Sequence, residues 1–286
     1  MRKLIASLAA VLALSAAAVA PVGAITGVNY TNDFEHPFVG LAVFYTIEDN
    51  EEVFSHRCSG SLISSTVFLT AGHCTDGADT ARIYFQQDAG AHYDPATQLD
   101  PVSGYPEYCA AGTLGTLCAT SDELYNFGFA NFAGFPNTKD AGIVVLDQSI
   151  ALSEYGELPE IGALDVFATK KGQADRTVTV SGYGVTYKDG SGQHDQSYRT
   201  RLMGTSKVTD VIGGNTGGFN LMTSGNGGGR SGTCSGDSGG PVFYPADSNV
   251  IVGVTSFGLN AWCRGQDFAF RTDTQAVQDW IASVTD

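Results

Sequence analysis

Residues 236–241 read Gly236-Asp237-Ser238-Gly239-Gly240-Pro241. A serine hydroxyl is a poor nucleophile at its free pKa and needs a base beside it and donors for the oxyanion it creates. Glycine at 236 lets the backbone turn so that the amides of Gly236 and Ser238 can face one developing negative charge. The small residues after Ser238 leave room for a substrate carbonyl. The same stretch satisfies the loose G-x-S-x-G pattern, but in that fold the acid and the histidine follow the serine. Here the last histidine is His194. Chain order excludes that alternative.

The base must therefore lie upstream. Of five histidines, only His73 has a distinctive setting, Leu69-Thr70-Ala71-Gly72-His73-Cys74 at the end of an apolar run. The adjacent cysteine suggests a loop held rigid by a disulfide, which suits a proton-transfer group. His36, His56, His92 and His194 stand in polar text and are expected to be ordinary surface histidines. For the acid, Asp140 opens the apolar run Ala141–Leu146, a costly place for a charge unless it is paired. A buried carboxylate beside the histidine fixes its tautomer and stabilises the imidazolium.

In this order, Thr70–Cys74, then Asp140, then Gly236–Pro241, the chain resembles the chymotrypsin/trypsin family of serine endopeptidases. Cys58-Ser59-Gly60-Ser61-Leu62-Ile63 is similar to the family's strand before the histidine loop. Val180-Ser181-Gly182-Tyr183-Gly184 is similar to its Gly-Trp-Gly segment, with Tyr in place of Trp. Thr255-Ser256-Phe257-Gly258 resembles the strand along which substrate lies. The resemblance runs from residue 25 to 286. It implies an all-β fold of two packed six-stranded antiparallel β-barrels with a C-terminal helix, the site lying in the cleft between them.

Carried over, Ser238 attacks the scissile carbonyl, His73 relays the proton, and Asp140 orients His73. Ser256 bonds the buried acid, and the amides of Gly236 and Ser238 form the oxyanion hole. The resemblance also implies disulfides Cys58–Cys74 and Cys234–Cys263, leaving Cys109 with Cys118 inside a long insert. Family members become active when a new N-terminal amine pairs with the acid before the serine, here Asp237. Ile25-Thr26-Gly27-Val28 stands at the corresponding start and departs from the usual Ile-Val-Gly-Gly at 26 and 28. Gly232 stands six residues before Ser238, where trypsin-like members carry Asp. With Thr233, Ser256, Phe257 and Gly258 it describes a largely uncharged pocket, so an apolar or mid-sized residue is expected before the cut. Asp267, on the opposite wall, would favour a basic one instead.

Independent features agree. The chain has 286 residues with 15 Lys+Arg against 30 Asp+Glu, and its charge of −15 argues against a nucleic-acid partner. Arg2 and Lys3 precede an apolar, alanine-rich run to Ala20 and small residues to Ala24, so 1–24 is expected to be a signal peptide. Six cysteines in an exported chain read as three disulfides, and without CxxC spacing a zinc site is not expected. Glycine is plentiful (36) and proline scarce (9), which suits short strands and tight turns.

Runs at Phe38–Tyr45, Ser61–Thr70, Arg82–Phe85, Ala141–Leu146, Thr177–Ser181, Pro241–Phe243 and Val250–Ser256 are the expected strands. Val277, Trp280, Ile281 and Val284 recur at helical spacing over Thr274–Val284. Gln86–Asp122, Lys188–Gln196 and the glycine-rich Ile212–Gly232 read as loops, the last lacking the Lys-Ser/Thr of a phosphate loop. Asp76, Asp79, Asp88, Asp94 and Asp100 match no calcium-loop spacing, so neither metal nor cofactor is expected. The expected protein is thus a secreted monomer without a membrane anchor, acting on polypeptides. A catalytically dead relative serving as a binding module is the alternative, and active-site phosphonate labelling separates the two.

Overall fold

The computed structural model describes residues 25–27, 29–89, 104–105, 109, 118–168, 175–189, 192–194, 199–225 and 230–285. The expected signal segment 1–24, His92, Asp94 and Asp100 lie outside them. In the first sheet, strands run in the order Cys118–Ser121, Thr80–Tyr84, Val39–Glu48, Glu51–Leu62, Val67–Thr70, Gly142–Val145 and Glu123–Asn126, all antiparallel. The two outermost are halves of one strand bent at Asp122, where the Ser121 hydroxyl accepts from the Glu123 N–H and donates to the Val145 carbonyl. One half pairs with Thr80–Tyr84 and the other with Gly142–Val145, which closes the sheet into a six-stranded barrel.

The second barrel is closed by Thr177–Gly182, which pairs with both Pro241–Phe243 and Leu202–Asp210. Between these run Ile251–Gly258, Gln266–Arg271 and Asn220–Ser224. A seventh strand, Tyr30–Asn32, lies along Leu202–Asp210 and brings the N-terminal segment onto this barrel. Inward positions of Leu202–Asp210 alternate with exposed ones, the period-2 pattern of a strand with one buried face. Val39–Glu48 is instead buried continuously through Tyr45, because its other side is covered as well.

The helix expected over Thr274–Val284 is Gln275–Thr285. It buries Val277 and Ile281, and its Trp280 ring stands 5.2 Å from that of Phe127 in the first barrel. All three disulfides form as expected, with no free cysteine. No helix among the described residues is long and apolar enough to cross a membrane.

Several local expectations are corrected. Ser61–Thr70 is the end of one strand, a turn, and a second strand. Glu51–His56 is strand, because the hairpin turn Asp49-Asn50 holds both residues at positive φ (51° and 67°), the twist that two-residue β-turns need. The glycine-rich Ile212–Gly232 contains the paired strand Asn220–Ser224, and Lys188–Gln196 contains all but Tyr187 of a small hairpin, Tyr187–Asp189 against Gly192–His194. His36 is not a surface residue but is buried. His56 is half-buried, its ring stacked on Phe44 and bonded to the Cys74 carbonyl at 2.8 Å. Burial, helped by the charge of nearby His73, pushes the His56 pKa down.

Candidate active site

His73 sits in the one-turn helix Gly72–Thr75, which starts as the strand Val67–Thr70 leaves the first barrel. Cys74 is tied to Cys58 on the neighbouring strand, and the Asn126 amide donates to the Gly72 carbonyl at 2.9 Å. The turn is thus fixed from two sides. His73 makes two bonds to one carboxylate. Its backbone N–H donates to Asp140 Oδ1 at 2.7 Å, and its Nδ1 lies 2.9 Å from Oδ2. The Ser256 hydroxyl donates to the same Oδ2. Asp140 is fully buried, so these donors replace water around its charge. With Nδ1–H on Asp140, Nε2 is left as the imidazole's acceptor.

Ser238 is presented by a loop locked between the two barrels. The Ser59 N–H of the first barrel donates to the Ser238 carbonyl at 2.7 Å, and the Ser59 hydroxyl donates to the Gly236 carbonyl at 2.8 Å. Gly239 donates to the Thr255 carbonyl at 2.7 Å, and a Cβ there would stand only 2.1 Å from the Thr70 hydroxyl. That approach brings the loop against Thr70 and Ala71, just ahead of His73. The N–H groups of Asp237, Gly239 and Gly240 are all bonded within the fold. Those of Gly236 and Ser238 have no partner among the described residues. Gly236 holds φ at +96°, a conformation that side chains resist.

A cavity of about 200 Å³ opens beside Ser238, walled by 233–235 and 255–258 and closed by the loop to Cys263. Thr233, Ser256, Phe257 and Gly258 line it as expected; Gly232 and Asp267 are not in its lining. Asp267 is buried behind Thr233, whose N–H donates to Oδ2 at 2.9 Å. The same oxygen lies 2.7 Å from where a Cβ on Gly232 would stand. With only neutral donors around it, burial pushes the Asp267 pKa up to about 7.

Asp237 is buried completely and accepts from the N–H groups of Gly184 (2.8 Å), Cys234 (2.9 Å) and Ile25. Burial raises its pKa to about 7, and the Asp267 charge adds to the rise. Ile25 is itself fully buried in the core of the second barrel. The two predicted activation residues are therefore in contact.

Sequence reasoning missed the aromatic wall beside the site. The Phe129 ring lies 5.8 Å from that of His73 and 4.9 Å from that of Phe132. Phe132 and Phe135 stand 5.1 and 6.1 Å from Phe257, which stacks on Phe268 at 4.6 Å. The three phenylalanines in Phe129–Phe135 were the available signal. Ser59 belongs to a strand motif, and nothing in the sequence around it signals that its hydroxyl reaches residue 236. Among the candidate calcium ligands, Asp79 accepts the Ile47 N–H at 2.7 Å.

The family model described as Trypsin matches residues 28–281. The chain belongs to the trypsin family. Brachyurin of Leptuca pugilator is 31% identical over 234 residues, covering 80% of this chain and 87% of that protein. A chymotrypsin of Phaedon cochleariae is 27% identical over 233 residues, covering 79% and 71%. Among solved structures, HL collagenase superposes with a TM-score of 0.60 at 19% identity, covering 91% of this chain and 98% of that one. A scabies mite inactivated protease paralogue reaches 0.61 at 14% identity, with 92% and 99% covered. The structures bear on the fold alone. The family and the curated relatives make this chain a serine endopeptidase.

Proposed function

We propose that the protein is a secreted, monomeric endopeptidase that cuts polypeptides through an acyl-enzyme on Ser238. His73 removes the hydroxyl proton and later returns it to the leaving amine. Asp140 holds the imidazole, and Ser256 holds Asp140. The free N–H groups of Gly236 and Ser238 bind the oxyanion. The observation that carries this reading is the sealed Asp140 carboxylate receiving both His73 donors and the Ser256 hydroxyl.

Removal of residues 1–24 would free the Ile25 amine within reach of Asp237, leaving 25–286 as the enzyme. Conversion of that amide N–H to an ammonium would place a positive charge on a buried acid that now has only neutral donors, drawing its pKa back down. N-terminal sequencing of the active secreted protein should begin at Ile25; activity with any other start would remove this step.

The cavity walls support cleavage after apolar or mid-sized residues, Asp267 lying behind them with its charge partly titrated near neutrality. The direct test is Ser238→Ala. It should fold with unchanged circular dichroism and lose about 10⁴–10⁶ in kcat. Retained peptidase activity in that variant would refute the assignment.

A further inference from the structure

A second cavity, about 370 Å³, shares no lining residue with the one beside Ser238. It lies between the segment leading into Asp140, the 217–219 loop and the start of the C-terminal helix. Its walls are mostly apolar: the rings of Phe127, Phe219 and Phe270, and Val277. Three polar side chains complete it, Asn137, Lys139 and Thr274. Neither the half-buried Asn137 side chain nor the exposed Lys139 ammonium at the rim has a hydrogen-bond or ion-pair partner among the described residues, although the chain carries a net charge of −15. The acid nearest in sequence to the helix side of the cavity, Asp273, is already bonded to Arg271 and to the Leu164 N–H. An apolar chamber with an unpaired ammonium and a free amide matches an occupant with an apolar body and one carboxylate.

The reaction makes such a molecule. Each cut releases a peptide ending in a new carboxylate, and a preference for apolar residues makes the last side chain apolar. We propose that this cavity binds the C-terminal residue of product peptides, with the side chain among Phe127, Phe270 and Val277 and the carboxylate on Lys139 and Asn137. The identity of the ligand rests on the specificity proposed above. At this volume the site takes one or two residues and no folded segment. It is also joined to the catalytic turn. Lys139 precedes Asp140, its carbonyl accepts from Ala141 at 3.0 Å, and the Ala141 carbonyl accepts from Phe127 at 3.0 Å.

The test uses enzyme first labelled to completion with a peptidyl phosphonate, so that the catalytic cleft is closed. Calorimetry then compares N-acetyl-Leu-Phe free acid, its C-terminal amide, and octanoate. The free acid should bind one per molecule, with the amide at least about tenfold weaker, a loss expected when a charge-assisted bond is removed. Lys139→Gln should weaken the acid to the level of the amide and leave the amide unchanged. Ala276→Trp, at an exposed helix position on the cavity wall, should abolish binding of both while keeping peptidase activity. No binding of the acid, equal binding in both variants and wild type, or tighter binding of octanoate than of the peptide acid would each overturn the proposal. Failure of the phosphonate to label would count against the catalytic reading instead, and the same titration on unlabelled protein would still decide the cavity.

Discussion

Two carboxylates in this molecule are dressed alike. Asp140 accepts the backbone N–H and Nδ1 of His73 and the hydroxyl of Ser256. Asp33 accepts the backbone N–H and Nδ1 of His36, each at 3.0 Å, and the hydroxyl of Ser181. Both acids are fully buried. What differs is everything past the imidazole. His73 keeps 22% of its side chain exposed, at the Thr70–Cys74 turn that packs against the Ser238 loop. His36 keeps 5%, and its ring lies flat on Phe243 with centroids 4.3 Å apart. Asp33 also has Arg201, whose Nε is 4.0 Å from Oδ2 and which donates to the carbonyls of Asp33, Val39 and Phe85. An acid, an imidazole and a hydroxyl are therefore not a catalytic site in themselves. Access and a nucleophile make one of them a candidate for chemistry, while a buried guanidinium makes the other a clasp for the N-terminal strand.

The same substitution at each acid separates the two roles. On the proposed mechanism, Asp140→Asn should lower kcat by about 10⁴, through the wrong imidazole tautomer, with little change in Tm. Asp33→Asn should do the reverse. It leaves Arg201 buried without its counter-charge, a loss on the order of 3–5 kcal/mol, while kcat per folded molecule holds. Thermal unfolding and active-site titration of both variants check this; a silent Asp33→Asn would mean that the second cluster is no clasp.

The pH dependence follows. Burial alone would raise the Asp33 pKa, but the His36 bonds, the charges of His36 and Arg201 and the Ser181 hydroxyl together hold it below 3.8. Its contribution is therefore present above the unfolded value and is lost as pH falls through the folded one, so acid unfolding below about pH 4 should flatten in Asp33→Asn.

Asp267 sharpens the contrast as a buried acid with neither histidine nor arginine bonded to it among the described residues, its donors coming from Thr233. Its folded pKa near 7 lies above the unfolded value, so it costs stability progressively as pH rises from about 4 to 7 and it acquires its charge near neutrality. The ratio of kcat/KM for a Lys or Arg substrate to that for a Leu substrate should rise on the order of tenfold between pH 6 and 8. Asp267→Asn should make that ratio independent of pH. Peptides differing only at the residue before the cut measure it, and an unchanged slope in the variant would remove Asp267 from specificity.

Much of this was legible because the signals are local. Gly236–Pro241, the His73 turn and the helical spacing of Val277 and Ile281 each declare themselves within a few residues. The Asp33 cluster does not, because its members are joined by the fold: Ser181 and Arg201 lie about 150 residues or more along the chain from Asp33. His36 looked like surface text for that reason. Leu202–Asp210 escaped for a different one. Its inward positions include Gly204 and Ser206, so the alternation is real in space but weak in hydropathy. Asn220–Ser224 was hidden likewise, its first buried residue being an asparagine whose amide donates to the Pro136 carbonyl at 2.6 Å.

The smallest test of the comparison is at the two hydroxyls. A hydrogen bond to a carboxylate contributes about 1.5–3 kcal/mol, and its removal is felt wherever the carboxylate acts. Ser256→Ala frees one lobe of Asp140 without adding or removing charge, and should lower kcat about tenfold with Tm nearly unchanged. Ser181→Ala does the same to Asp33, where no reaction depends on orientation. It should lower Tm by about 2–4 °C per kcal/mol lost and leave kcat alone. If both variants lost stability equally and neither lost rate, Ser256 would serve Asp140 only as Ser181 serves Asp33, and the orientation of His73 would have to be carried by its own backbone N–H.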